Sequence, residues 1–320
     1  MIKFPYMFPA ALLGATVVVL QPQMVLANNQ AEFFYNQGVA KSEQGDYQGA
    51  IAAFTQAIRL NPQYADAYTN RGNARYELGD HQGAIKDYNQ VIRLNPQDAT
   101  PYYNRGNVRS VLGDKQGAIA DYDQAISLNA EYTDAFNNRG NARYDLGDKE
   151  GAIADYNQAI ELDATDSVPY YNRGNARADL EDKAGAIADY NQAISLNPEY
   201  AEAYYNRGNL RSNLGDKQGA IEDYSQTIRI NPSDADAYYN RGIDRFEIGE
   251  KQGAIADYSQ TIEINPEYAN AYYNRGNARA DLGDKEGAIA DFQQAAKLYQ
   301  QQNQPEDYQD ALERIRTLRE

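Results

Sequence analysis

The sequence predicts an all-α solenoid built from eight helix-turn-helix repeats. Three observations predict it: a glycine recurs every 34 residues, an alanine recurs at the same interval, and an aromatic residue follows each alanine four positions later. A fixed period of this length is typical of repeat proteins, in which each repeat is too small to bury its own apolar face and packs on its neighbours. The glycines are Gly38, Gly72, Gly106, Gly140, Gly174, Gly208, Gly242 and Gly276; the alanines begin at Ala50 and end at Ala288; the aromatic residues begin at Phe54 and end at Phe292.

The segment before the repeats, residues 1–27, has a different character. Its apolar stretch is strongest over 10–20, and Val25 and Ala27 are small residues placed three and one positions before a possible cleavage point. This is the layout of a secretory signal peptide. We therefore expect an exported protein, periplasmic, lumenal or secreted after signal cleavage. The alternative is a membrane anchor formed by residues 4–20.

Each repeat is predicted to contain two helices joined by a tight turn. In the second repeat, residues 65–98, the first helix ends at Leu78 and a glycine follows at Gly79, where the left-handed conformation of a helix end is tolerated. The second helix carries apolar residues at i, i+1, i+4, i+7 and i+8 from Ala84, and Pro96 ends it. The repeats begin at residues 31, 65, 99, 133, 167, 201, 235 and 269.

A 34-residue period with these columns resembles the tetratricopeptide repeat, a helix-turn-helix unit. The resemblance implies a right-handed superhelical solenoid of antiparallel helix pairs over residues 28–302. It also implies that the first helix of each pair lines a concave groove, and that this groove binds peptides or partner proteins.

A C-terminal capping helix is predicted over residues 303–320, where the last repeat would otherwise leave an apolar face exposed. Pro305 begins it, and most of the residues outside the apolar stripe are charged or polar. The stripe consists of Tyr308, Ala311, Leu312, Ile315 and Leu318. A partner-binding tail is the alternative interpretation of this segment.

One side of each first helix is predicted to pack against the rest of the chain. With the repeat glycine at position 8, this side holds positions 4, 7, 11 and 14. In the fifth repeat these are Tyr170, Arg173, Arg177 and Leu180. A desolvated arginine needs a partner, and Asp189 at position 23 lies at the edge of the second helix's apolar stripe. The first repeat has Gln37 at position 7 and Ala53 at position 23, so arginine and aspartate disappear together.

We therefore expect a structural Arg–Asp ladder, represented by Arg173, Arg177 and Asp189. A catalytic or phosphate-binding set is the alternative, and seven identical copies argue against it.

The opposite side of each first helix is the predicted groove, where positions 2, 5, 6, 9, 12 and 13 lie within about 120° of one another. Asparagine occupies position 6 in all eight repeats and position 9 in six. Its amide offers donors and an acceptor, which suits the backbone of an extended peptide. Bonds between neighbouring repeats and a solvated polar face are the alternatives. The candidate ligand-binding residues are Asn104, Asn107, Asn138, Asn141, Asn172, Asn175, Asn206 and Asn209, with the tyrosines Tyr103, Tyr171 and Tyr205 at position 5.

Two further features describe this groove. Position 2 is never basic, so the basic residues with which some family members grip a C-terminal carboxylate are missing there. In the seventh repeat Ile243 replaces the asparagine of position 9 and Phe246 occupies position 12, which predicts a local apolar patch. The patch is either a ligand contact or a packing contact between repeats.

Composition narrows the function classes. The net charge of -16 disfavours nucleic-acid and anionic-membrane partners and favours neutral or basic ones. The chain has no cysteine and its only histidine is His81, so we expect no catalytic residues, no metal site and no cofactor.

These observations predict a non-enzymatic scaffold that binds a protein or an extended peptide, for complex assembly or processing outside the cytoplasm. The expected partners exclude nucleic acid, and exclude membrane beyond a possible N-terminal anchor. A self-associating structural solenoid and a single-stranded RNA-binding helical repeat protein are the alternatives, and the oligomeric state stays open.

Overall fold

In the computed structural model, the described residues are 14–320 for the backbone and 26–320 for the side chains. Seventeen helices and no strand occur among them, which confirms the all-α fold class and the eight helix-turn-helix repeats. The helices are α1 (Gly14–Glu43), α2 (Tyr47–Leu60), α3 (Ala65–Glu77), α4 (His81–Leu94), α5 (Thr100–Val111), α6 (Lys115–Leu128), α7 (Thr133–Asp145), α8 (Lys149–Leu162), α9 (Ser167–Asp179), α10 (Lys183–Leu196), α11 (Ala201–Asn213), α12 (Lys217–Ile230), α13 (Ala235–Glu247), α14 (Lys251–Ile264), α15 (Ala269–Asp281), α16 (Lys285–Gln301) and α17 (Pro305–Arg319).

Odd-numbered helices from α1 to α15 are the first helices of the repeats, and even-numbered helices are the second. The chain divides into two compact units, Met1–Asp155 and Tyr156–Glu320, whose boundary lies inside α8. Within each unit consecutive helices pack in pairs. Successive first helices also touch, as α5 and α7 do in the N-terminal unit and α11 and α13 do in the C-terminal unit.

The predicted signal or anchor segment is only partly within the described residues, because 1–13 lie outside them. Helix α1 continues without a break across Ala27 to Glu43. Of the helices that the structure describes, none combines the length and the apolar character needed to cross a bilayer.

The turn inside each repeat follows the predicted chemistry. Gly79 has φ of +77°, and the side chain of Asp80 accepts a hydrogen bond of 3.0 Å from the backbone N–H of Gly83 at the start of α4. This is an N-cap that satisfies one of the unpaired donors of a helix start. The fifth repeat has Glu181 at the glycine position, with φ of 62°.

The core of each repeat is the contact between its glycine and its aromatic residue. A Cβ atom at Gly174 would lie 2.7 Å from a ring carbon of Tyr190, which is closer than side chains approach one another. Any larger residue would therefore push the two helices apart. Ala186, one turn before Tyr190 on α10, is fully buried.

Two predicted packing residues lie at the surface. Leu180 is 40% exposed because α9 ends at Asp179, so that the helical wheel no longer describes its direction. Leu312 on α17 is 38% exposed, whereas Ala311 and Ile315 on the same helix are buried. The capping stripe is therefore narrower than its apolar pattern predicts.

Candidate functional site

The packing side of the first helices holds the arginines and the aspartate together. The guanidinium of Arg173 donates to both carboxylate oxygens of Asp189, at 2.9 Å from Nε and 2.6 Å from Nη2. Arg177 adds a bond of 2.8 Å from Nη1 to Oδ2. Asp189 is 3% exposed, so its charge is compensated inside the protein by two arginines. The same arrangement recurs at Asp87, Asp121, Asp155, Asp223, Asp257 and Asp291.

Each position-7 arginine also reaches the preceding repeat. In the N-terminal unit, Nη1 of Arg139 donates to Asp123 on α6 at 2.6 Å. In the C-terminal unit, Arg207 donates to Asn191 on α10 and its guanidinium lies 5.5 Å from the ring centre of Tyr204. These arginines therefore bridge two successive second helices. Because their donors are occupied by the chain itself, the geometry favours the structural role over the phosphate-binding alternative.

The opposite side of the first helices, positions 5, 6, 9, 12 and 13, is here called the asparagine face. On it Nδ2 of Asn206 donates to the Tyr171 hydroxyl at 3.1 Å and to Oδ1 of Asn175 at 3.0 Å. The hydroxyl of Tyr190 donates to that same Oδ1 at 2.7 Å. The asparagines therefore bond across the repeats, which is the arrangement that the sequence left as an alternative. We call this network the asparagine ladder; its other crossings are Asn70 to Tyr35, Asn138 to Tyr103 and Asn107, Asn240 to Tyr205 and Asn209, and Asn274 to Tyr239.

At the crossing between Asn206 and Asn175 the ladder uses only part of each amide. Both Nδ2 hydrogens of Asn206 and both lone pairs of Asn175 Oδ1 are engaged, which leaves Oδ1 of the first and Nδ2 of the second for another partner. An acceptor and a donor on neighbouring repeats match the N–H and C=O groups of an extended peptide. Ligand contact by these residues stays a prediction.

The position-5 tyrosines are half-buried within the asparagine face. The Tyr103 ring lies 4.7 Å from that of Tyr132 and 6.0 Å from that of Tyr122. Burial raises the pKa of Tyr103, and the hydrogen bonds from Asn107 and Asn138 offset part of that increase. The hydroxyl therefore stays protonated and bound into the ladder near neutral pH.

One crossing of the ladder is missing in the N-terminal unit. Position 5 of the second repeat is Thr69, whose hydroxyl bonds to the carbonyl of Ala65, so Asn104 finds no tyrosine hydroxyl there. Among the hydrogen bonds of the described residues, none involves Asn104. A cavity of about 550 Å³ lies at this place, lined by Asn73, Tyr76, Glu77, Tyr88, Asn104, Asn107, Val108, Ser110, Val111, Tyr122, Asn138 and Asn141.

The remaining predicted site residues lie on the same face. Asn141 on α7 and Asn172 on α9 are both half-buried. Ile243 and Phe246 on α13 are half-buried too, and the Lys251 ammonium lies 6.0 Å from the centre of the Phe246 ring. The predicted apolar patch is therefore only partly open to solvent.

A buried carboxylate in the seventh repeat was missed by the sequence reasoning. Asp244 is 1% exposed and accepts hydrogen bonds from Ser212 at 2.7 Å and Lys217 at 2.9 Å. Its position 10 is otherwise occupied by alanine, valine or leucine, so comparing that column would have revealed it. Its other oxygen, Oδ2, has no hydrogen-bond partner. This cluster joins the sixth and seventh repeats.

Ion pairs run along the edge of the asparagine face. A lysine at position 17 of one repeat pairs with the acidic residue at position 13 of the next. The pairs are Lys115 with Asp145 at 2.6 Å, Lys217 with Glu247 at 2.8 Å, and Lys251 with Asp281 at 2.9 Å. No group of side chains suited to hold a metal ion occurs among the described residues.

The comparisons with known proteins agree with this architecture. Models of the tetratricopeptide repeat match residues 35–99, 112–147, 140–181, 174–215, 201–234, 244–283 and 269–302. A search of curated proteins gives no significant match.

Solved structures with the same fold include several repeat proteins. The crystal structure of YrrB, a TPR protein with an unusual peptide-binding site, is 25% identical and has a TM-score of 0.50, covering 57% of this chain and 95% of its own. A tetratricopeptide repeat protein from Parabacteroides merdae is 20% identical with a TM-score of 0.58, covering 78% of this chain and 99% of its own. The C-terminal part of a TPR repeat-containing protein from Cytophaga hutchinsonii is 18% identical with a TM-score of 0.62, covering 75% and 98%.

The repeat columns, the helix pairs and the family models thus lead to one conclusion: this chain belongs to the tetratricopeptide repeat family.

Proposed function

We propose that the protein is a non-enzymatic interaction scaffold that binds an extended peptide, or an extended segment of a partner protein, on the asparagine face. The observation that carries the proposal is the unused half of two amides on neighbouring first helices, an acceptor on Asn206 at position 6 and a donor on Asn175 at position 9. Similarity to YrrB, whose structure has a peptide-binding site, supports it.

The charge of the protein selects the kind of partner. With a net charge of -16 the chain attracts neutral or basic segments and repels phosphate backbones. The arginines cannot compensate, because they are held by aspartates on the packing side. This argues against the RNA-binding alternative.

The proposed place of action is outside the cytoplasm, on the basis of the signal-like segment before residue 28. Cleavage after Ala27 would leave Asn28 as the first residue, and Ala31, which is fully buried, would still begin the first repeat. Mass spectrometry of the protein purified from its native compartment tests this. A mature chain that retains residues 1–27 would contradict cleavage and favour the anchor.

Site-specific photocrosslinking tests the binding face. A benzoylphenylalanine at Val111, which is 57% exposed and lines the cavity, is expected to crosslink to a partner in the native compartment. The matched control places the same group at Glu222, which is exposed on the second helix α12. Equal crosslinking from both positions, or none from Val111, would count against binding on the asparagine face.

Self-association is a second candidate that one observation favours. Leu26 and Phe33 on α1, the first helix of the first repeat, are 62% and 63% exposed. Sedimentation velocity over a range of protein concentrations tests this. A sedimentation coefficient that does not change with concentration, or that is the same for Phe33→Ser, would exclude association through these residues.

A further inference from the structure

We propose that the cavity at the second and third repeats is a subsite for a lysine or arginine side chain of the bound peptide. The proposal rests on the proposed function, because the side chain belongs to a segment lying on the asparagine face. The subsite would identify the second and third repeats as those that select the partner, through recognition of a positive charge.

The cavity adjoins the interrupted crossing of the ladder, because Asn104 lines it. In the third repeat, Tyr103 fills the space beside its own Tyr122, and its hydroxyl receives the next asparagine. In the second repeat position 5 is Thr69, whose hydroxyl bonds to the Ala65 carbonyl, and the cavity is lined by Tyr88 and by Asn104 of the next repeat. A cavity of about 550 Å³ is large enough for a long side chain and part of its backbone.

The unpaired amide lies at this same place. Asn138, at the equivalent position one repeat later, donates its two Nδ2 hydrogens to the Tyr103 hydroxyl and to Oδ1 of Asn107. Asn104 has no hydrogen bond within the described residues, so its full amide faces the cavity that it lines. It can accept from a peptide N–H and donate to a peptide C=O without breaking any bond of the ladder.

The charge at the cavity is uncompensated. In the fourth, seventh and eighth repeats the acidic residue at position 13 is paired with a lysine from the repeat before it, as Asp281 is with Lys251. Glu77 occupies position 13 in the second repeat, but the corresponding residue of the first repeat is Tyr47 instead of lysine. No ion pair in the described part of the chain includes Glu77, which lines the cavity. A cationic side chain from the partner would supply the missing charge.

The residues that line the cavity suit the methylene groups of a lysine or arginine side chain. Tyr76 and Tyr88 supply ring surface, and Val108 and Val111 supply apolar surface beside the carboxylate. Lysine and arginine bury their methylene groups along apolar surface while the charged end seeks a carboxylate or a ring face. Aspartate, glutamate and phosphorylated residues would be repelled by Glu77.

A second, smaller cavity extends the site towards the first repeat. It has a volume of about 270 Å³ and shares Asn73 and Glu77 with the first. Its lining also includes Glu43, the position-13 residue of the first repeat. Two carboxylates therefore flank the path of a peptide through the N-terminal unit, and both lack an ion pair within the described residues.

The test uses the full chain and a display library of random peptides. We expect the selected peptides to share a lysine or arginine at one fixed position. Replacing Glu77 by glutamine, which keeps the shape and removes the charge, should weaken their affinity about two- to fivefold, as expected for an exposed ion pair. Asp281→Asn is the matched control, because that acidic residue is already paired, and it should leave the affinity unchanged.

A second measurement separates charge recognition from any change in fold. Replacing the peptide's basic residue by norleucine should lower affinity for the unsubstituted protein and leave affinity for Glu77→Gln nearly the same. Peptides that bind without a shared basic position, or that bind both proteins equally, would overturn the subsite while leaving peptide binding intact. If no peptide is selected, or if the selected peptides do not compete with crosslinking at Val111, the proposed function fails together with the subsite.

Discussion

Asn206 and Tyr171 are 35 residues apart in the chain, yet Nδ2 of the asparagine donates to the tyrosine hydroxyl at 3.1 Å. The bond joins α11 to α9, the first helices of two successive repeats. It lies on the side of the helices that faces away from the Arg–Asp ladder. The surface that we propose binds a peptide is thus also a surface that holds neighbouring repeats together.

Asparagines of this face should therefore differ in what they contribute to stability. Asn206→Ala removes the bonds to Tyr171 and Asn175 and should lower the free energy of unfolding by about 1–2 kcal/mol. Asn104→Ala removes no hydrogen bond and should change it by less than about 0.5 kcal/mol. Urea denaturation followed by circular dichroism measures both. Equal losses from the two substitutions would mean that the ladder bonds add nothing to stability.

The fold could be predicted because the same residue pattern recurs in eight repeats. Glycine, alanine and the aromatic residue recur at a fixed interval, so the assignment of each repeat is checked against the seven other repeats. The Arg–Asp contacts could be anticipated for a related reason: the first repeat lacks both partners. A buried arginine on the packing side needs an acidic partner, and few acidic residues lie close enough to serve, so the partner could be predicted.

The role of the asparagines could not be decided from the sequence. An amide both donates and accepts, so its presence on a helix face fits a ligand, a neighbouring helix or water equally well. What decides between them is whether the Tyr171 hydroxyl lies within hydrogen-bond distance of the Asn206 side chain in the next repeat. That distance depends on how the repeats stack, which the sequence does not specify. Asp244 is at position 10, which belongs to neither the predicted groove nor the predicted packing side, so the two-sided description of the first helix does not include it.

Removing only the aspartate of the Arg–Asp ladder should lower the free energy of unfolding more than replacing the aspartate and its arginines together. Asp189→Ala leaves two mostly buried arginines without their carboxylate, and we expect it to lower the free energy of unfolding by about 3–5 kcal/mol. The combination Arg173→Gln, Arg177→Lys and Asp189→Ala reproduces the first repeat, which has Gln37, Lys41 and Ala53.

This triple substitution should cost less than Asp189→Ala alone, since it removes a charge from both sides. Thermal and urea denaturation of the two proteins make the comparison. If the triple substitution proves the more damaging, the ladder contributes net attraction and not merely mutual compensation.

Stability should fall at alkaline pH because half-buried tyrosines resist ionisation in the folded protein. Burial, with smaller contributions from Tyr103 and Asp134, raises the pKa of Tyr132 to about 12, and burial with the Asp310 hydrogen bond raises the pKa of Tyr273 to about 12. A tyrosine in the unfolded chain ionises near pH 10. The folded protein therefore holds these protons more tightly than the unfolded chain does.

It follows that their stabilising contribution is complete below pH 10 and is lost between about pH 10 and pH 12. Urea midpoints should be level from pH 8 to pH 9.5 and decline beyond, and phenolate absorbance should rise late. Tyr132→Phe should make the decline shallower. A decline that begins below pH 9 would point to groups other than tyrosine.

The fifth repeat carries a local strain that the other repeats avoid. Glu181 has φ of 62° at the turn where Gly147 and Gly215 have φ of 87°. A residue with a Cβ atom in this region costs about 1–2 kcal/mol, and the ion pair of Glu181 with Lys183 is too exposed to offset it. Glu181→Gly should therefore raise the free energy of unfolding by about 0.5–1 kcal/mol, the remainder being lost to the greater freedom of glycine in the unfolded chain. The matched reverse change, Gly147→Glu, should lower it by a similar amount. Urea denaturation of both proteins decides the point: if Glu181→Gly leaves the midpoint unchanged or lowers it, the turn of the fifth repeat is stabilised by its glutamate and is not strained.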